Sequence, residues 1–222
     1  MATADIYPDV GTGAVTSDAY LENAGSNLQT LTTDSTCTSG MGITTNSTTY
    51  GNLQCYCFEY GGIHYLFRII MSFDTSILFP GASISAATLY FWIQNKYAVD
   101  YIALLGCTPT DPAGFVLTDW GQFGSTLLSS AKYISNISTG GYNGFTLNAN
   151  GKNFIDDNGV TTFGFKLSNT DISYNNLASG AEVGILGRSA DTYFPSGAPF
   201  LRVTYTPGTP PVTSTGFIPF FF

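Results

Sequence analysis

The chain has 222 residues, of which 44% are hydrophobic, 15% aromatic and only 10% charged, a composition that supports a large core and excludes a disordered body. Its net charge of −8 includes seven cations, among them Arg68, Lys96, Lys132 and Lys166, with no basic run. Neither nucleic acid nor an anionic membrane surface is therefore an expected partner.

The opening residues Met1 to Pro8 lack a basic start and a sustained apolar run, so no secretory leader is expected. Production in the cytoplasm, or trimming to a mature form, fits that reading. The first fifty residues, rich in Thr and Gly, are expected to hold two short strands and long loops. Cys55 and Cys57 sit two apart, on one face of a strand, with Cys37 and Cys107 distant. Buried free thiols, one or two disulfides and a metal site all remain open from this spacing. Paired zinc ligands usually have two to four residues between them, which Cys55 and Cys57 do not.

From Tyr65 the apolar Phe67, Ile69, Met71 and Phe73 alternate with Arg68 and Ser72, which predicts a strand with His64 at its start. The longest apolar stretch, Tyr65 to Phe73, is broken by Arg68 and falls short of the ~18 residues a membrane span needs. Ile84 to Ile93 is apolar on both faces, the mark of a strand covered on both sides. Tyr101 to Leu105, Lys132 to Ile137, Thr161 to Leu167, Ala181 to Leu186 and Phe200 to Tyr205 read as further strands. Helix is expected only across Ala149 to Asp156, before a turn at Asp157 to Gly159. Short strands punctuated by Gly, Asn and Pro point to an all-β sandwich or barrel.

After Thr206 the character changes. Residues 207–216 are rich in Pro and Gly and form a semi-extended tether able to reach roughly 30 Å at about 3.1 Å per residue. They lead to Phe217, Ile218, Pro219, Phe220, Phe221 and Phe222, an uncharged apolar peptide. Such a peptide is expected to dock into a neighbour or to fold back and seal a sheet edge. The domain division is therefore 1–206 for the body and 207–222 for tether and docking peptide, with Phe217, Ile218, Phe220, Phe221 and Phe222 as anchors.

Two segments, FRIIMSFDTS at 67–76 and PGASISAATLY at 80–90, carry a resemblance to the central block of DNRLRE-type jelly-roll domains. DAY at 18–20, FTLNANG at 145–151, GVTTFG at 159–164 and LRVTY at 201–205 resemble that family in the same order. The resemblance implies an antiparallel jelly-roll β-sandwich. It also implies a carbohydrate-binding-like role, in some members with a structural calcium; stand-alone domains of this kind look common among phage and environmental sequences. Beside the secreted members, this chain is expected to lack a leader and an attached catalytic domain, and it carries the apolar peptide at residues 217–222.

Catalysis is not expected. His64 is the sole histidine, with no nucleophile elbow beside it, and the aspartates lie mostly at turns. Asp74 reads as a turn cap or a calcium carboxylate, and Asp156 to Gly159 as a turn lacking the spacing of an EF-hand loop. No metal ligand set is assigned, and no cofactor beyond that calcium. Sugar binding needs exposed rings, and Trp120, in a loop-like stretch, is the candidate carbohydrate-binding residue; packing is the competing role for both Trp120 and Trp92.

The expected function is a non-catalytic structural or decoration protein of a virion, on the capsid surface or a fibre. It would assemble with neighbouring subunits, as a homo-oligomer or larger array, through the aromatic tail. A carbohydrate-binding adhesion module and a subunit of an extracellular filament are the alternatives, all placing the protein on a virion or extracellular surface.

Overall fold

The computed structural model describes residues 1–8, 16–37, 43–45, 52–194 and 196–209. The docking residues Phe217, Ile218, Phe220, Phe221 and Phe222 lie outside the described residues. The first strands are β1 (Ala2–Ile6), β2 (Asp18–Gly25), β3 (Ile43–Thr45), β4 (Asn52–Tyr60), β5 (Ile63–Asp74) and β6 (Ser83–Tyr97). They are followed by β7 (Tyr101–Cys107), β8 (Phe123–Leu127), β9 (Lys132–Tyr133), β10 (Gly141–Thr146), β11 (Val160–Leu167), β12 (Glu182–Arg188) and β13 (Phe200–Thr206). Three short helices interrupt them: α1 (Leu28–Thr33), α2 (Ala149–Phe154) and α3 (Ala190–Tyr193). The fold is all-β, and every strand pair is antiparallel.

Among the described residues thirteen strands join in one hydrogen-bonded network whose main path runs β1-β13-β6-β12-β4-β5-β11-β7-β8. Two long strands make it fold on itself. β5 carries β2 along one edge and divides the other between β4, paired at Ile63 to Phe67, and β11, paired at Ile69 to Asp74. β6 likewise carries β10 along one edge and divides the other between β13 and β12. A strand shared between two partners must twist through both, so residues far apart along the hydrogen-bond path face each other. Phe91 of β6 stacks on Phe165 of β11 with centroids 5.6 Å apart, although these strands are not neighbours in the sheet. Phe145 closes on Phe165 at 4.8 Å and Phe73 on Phe163 at 6.0 Å, giving a core of aromatic rings.

β5 is buried on both faces rather than one: Leu66, Arg68 and Ser72 are as enclosed as Phe67, Met71 and Phe73. Lys132 to Ile137, expected as one strand, is divided. Only Lys132–Tyr133 pairs; Ile134–Asn136 is a 3₁₀ turn that buries Ile134 and Ile137 together. Residues three apart eclipse in a 3₁₀ turn, so this turn satisfies both isoleucines better than a strand would. α1 was not anticipated. Asn27 caps it by accepting from the Thr30 amide at 3.2 Å, and Leu28 and Leu31 turn inward from the same side. All four cysteines are free and buried.

Candidate functional site

The outer face of the β1-β13-β6-β10 portion collects partly covered aromatic rings and charge. On β6, Leu89, Phe91 and Ile93 point into the core, so alternation turns Tyr90 and Trp92 outward. Register then brings partners beside them. Tyr142 of β10 lies directly opposite Trp92, and Phe200 of β13 opposite Tyr90. Tyr90 and Phe200 stack at 4.8 Å, while Trp92 and Tyr142 meet edge to face at 5.2 Å. Tyr142 also meets Phe200 at 5.2 Å, and Tyr7 joins Phe200 at 5.5 Å. Trp92 is half-buried and Tyr142 is 37% exposed, so ring surface remains available to a ligand.

Two arginines border these rings. Asp5 of β1 lies opposite Arg202 of β13 and takes a two-pronged ion pair, with Nε and Nη2 each 2.7 Å from a carboxylate oxygen. That hydrogen bonding holds the Asp5 carboxyl below the usual carboxylate range and raises the guanidinium further. Arg188, at the end of β12, places Cζ 4.5 Å from the Trp92 ring centroid and 4.4 Å from that of Tyr193. Gly197 makes this approach possible. Its φ of +106° suits glycine, and a Cβ there would lie 2.6 Å from Arg188 Nη1. The Tyr142 hydroxyl donates to the Ala198 carbonyl at 3.0 Å and accepts from the Gly197 amide at 3.0 Å, fastening the same loop. Burial pushes the Tyr142 phenol above its ordinary range.

The result is a cleft of about 420 Å³ lined by Asp5, Tyr7, Trp92, Tyr142, Arg188 and Arg202, with Ser196, Gly197 and Phe200 completing it. Clefts of about 280 Å³ and 270 Å³ flank Phe154, and neither is lined by an arginine. Another of about 450 Å³, beside Lys152 and Asp157, has no aromatic ring in its wall. The cleft at Trp92 alone among these combines stacking surface with paired charges.

A second aromatic row crosses β2, β5, β4, β12 and β6 on the face bearing Glu22, Phe67, Tyr56, Gly184 and Tyr97. Gly184 has no side chain, so Tyr56 and Tyr97 reach each other across it at 5.1 Å. Phe58 and Tyr65 stack at 4.6 Å beside them.

Trp120 is not an exposed platform, which corrects the sequence-based choice of sugar-binding residue. It is 0% exposed, its indole N–H donates to the Leu31 carbonyl at 2.9 Å, and the Arg68 guanidinium lies 3.8 Å from its ring centroid. The loop that carries it is roofed by α1, so a polar, turn-rich surrounding sequence gave no sign of burial. Trp92, for which packing is the usual role in a β-sandwich, lies on the outer side of β6, which is only partly covered. Arg188 and Arg202 had no sequence signal, since isolated arginines on separate strands carry no spacing pattern.

The remaining candidates hold structure. Asp74 accepts from the Ser76 amide at 3.1 Å and hydroxyl at 2.6 Å, a turn cap. Asp156 accepts from the Asn158 amide, and Asp157 from the amides of Gly81 and Ala82. His64 is buried at the start of β5. Among the described residues no group of three or more His, Cys, Asp or Glu is placed to hold a metal ion.

Comparison with known proteins adds no relative to this geometry: no protein-family model matches the chain, and no curated protein matches it.

Proposed function

We infer that this chain is a non-catalytic binding module, a β-sandwich of jelly-roll type, that recognises carbohydrate through the cleft at Trp92 and Tyr142. The observation that carries the reading is the meeting of these two partly exposed rings with Arg188 and the Asp5–Arg202 pair in one cleft. A sugar ring offers flat C–H faces that stack on aromatic rings and hydroxyls that both donate and accept. Aromatic walls with a few convergent polar groups suit such a ligand. The test is a glycan array followed by calorimetric titration of the full chain, with Trp92→Ala and Tyr142→Ala as variants. Binding that both variants lose while remaining folded supports the reading; a chain that captures no glycan refutes it.

The sequence of the tail favours a second, compatible reading: the module is a decoration or structural component of a virion or other extracellular assembly, held by residues 217–222. Burying a large apolar side chain is worth roughly 1.5–3 kcal/mol, so the five anchors together can offset the cost of ordering the tether. Light scattering after size exclusion compares the full chain with one ending at Thr206. A defined oligomer that becomes monomeric on truncation supports a self-assembling role, whereas equal monomers point to a foreign partner or to fold-back.

A further inference from the structure

We propose that the ligand of the Trp92 cleft carries a carboxylate, making it an acidic sugar of the uronic or sialic class, and that Arg188 is the residue that reads it. The inference rests on the carbohydrate reading above and narrows it to one ligand class. Seven cations serve the whole chain, and two of its arginines meet at this one cleft. They are not in the same state. Arg202 is engaged by Asp5 through two 2.7 Å hydrogen bonds, which neutralise it and occupy one edge of its fork. Arg188 forms no ion pair among the described residues.

Its donors are also largely unused. Among the described residues the hydrogen bond of Arg188 is Nη1 to the Ser196 carbonyl at 3.5 Å, at the limit for such a bond, and its buried Nε meets no acceptor. The contacts with Trp92 and Tyr193 steady the charge and fix the orientation of the guanidinium, but ring faces do not satisfy its five N–H donors. A guanidinium held in place in the cleft wall with no ion-pair partner among the described residues is matched by a planar carboxylate, which accepts hydrogen bonds from its terminal nitrogens and compensates its charge. Neutral hydroxyls satisfy the same donors one at a time and leave the charge uncompensated.

The rest of the molecule sharpens this assignment. At a net charge of −8 the chain repels anions in general, so an acidic ligand must find local positive charge. The cleft, at about 420 Å³, has room for a sugar residue on the Trp92–Tyr142 rings with its carboxylate turned to Arg188. Gly197 lets the guanidinium lie where it does, because a Cβ there would come within 2.6 Å of Nη1.

The experiment is an array of uronic- and sialic-acid oligosaccharides beside their carboxyl-reduced, neutral counterparts, probed with the full chain, Arg188→Gln and Arg188→Lys. The expected result is a preference of at least about tenfold for the carboxylated form, in keeping with a charge-assisted bidentate pair. Arg188→Gln should abolish that preference while keeping weak, Trp92-dependent binding to the neutral form. Arg188→Lys, which keeps the charge and loses the fork, should retain part of it, and this holds even if the Gln variant proves unstable. Equal binding of acidic and neutral forms, or preference for the neutral ones, overturns the assignment and leaves the carbohydrate reading intact. Binding to no glycan at all overturns both.

Discussion

Arg68 and Asp171, 103 positions apart in the chain, close a two-pronged ion pair at 2.8 and 2.6 Å with side chains only 1% and 0% exposed. The remaining guanidinium donors reach the Trp120 carbonyl at 2.7 Å and the Thr32 carbonyl at 2.9 Å. One side chain on β5 thereby ties together α1, the 3₁₀ turn around Trp120 and the helical turn Ser168–Ile172. A buried pair of this kind contributes little net stability while intact, but breaking it strands a charge in the core.

Asp171→Asn and Arg68→Met should each cost about 3–5 kcal/mol in urea denaturation. The double variant Arg68→Met with Asp171→Leu should be less destabilised than the sum of its parts, since it leaves no orphaned charge. Additive losses would show that the pair acts only through packing.

The two tryptophans should separate by role. Trp120→Ala removes a fully enclosed ring and should cost about 3–5 kcal/mol in stability. Trp92→Ala removes a half-buried ring and should leave most of the stability intact while lowering glycan affinity. Parallel thermal melts and titrations of the two variants check this; equal destabilisation would remove Trp92 from the surface role.

Alkaline pH should destabilise the fold. Burial pushes the thiols of Cys37, Cys57 and Cys107 up to about 12 and that of Cys55 well above its usual range. Above pH 9 or so an unfolded chain loses thiol protons that the folded chain keeps, so stability is full below that pH and falls as pH rises towards 12. Each thiol contributes a slope of about 1.4 kcal/mol per pH unit in that window. Lys166, brought down to about 8 by burial, acts in the opposite sense between there and its unfolded value near 10.5. Lys132, also lowered by burial, acts with Lys166, but four buried thiols together with the raised phenols of Tyr56 and Tyr142 outweigh two amines and give a net loss. Urea midpoints measured under reductant at pH 7.5, 9 and 10 should fall steeply over the last interval, and a flat profile would contradict the buried thiols.

Gly184 should tolerate no side chain. It has φ +137°, and a Cβ would collide with the backbone of Cys55 and Tyr56 on β4. Gly184→Ala is expected to cost about 2 kcal/mol or more, combining backbone strain with overpacking. Chemical denaturation measures it, and the near-ultraviolet circular dichroism of the Tyr56–Tyr97 pair should change with it.

The sequence by itself determined the class of fold, because period-two alternation is local: Phe67, Ile69, Met71 and Phe73 announce a strand whatever lies beside them. The turn cap at Asp74 is local in the same way, since its partner Ser76 lies two residues on. The apolar character of residues 217–222 is equally a property of the chain alone. Tertiary structure decided everything that depends on which strands become neighbours. The division of β5 and β6 between two partners each is such a choice, and it turns Trp92 towards solvent while Phe91, one residue earlier, enters the core. The burial of Trp120 under α1 is another, made by the Arg68–Asp171 pair across 103 positions. The cleft gathers Asp5, Trp92, Tyr142, Arg188 and Arg202 from five strands, and long-range pairing leaves no periodic trace in a sequence.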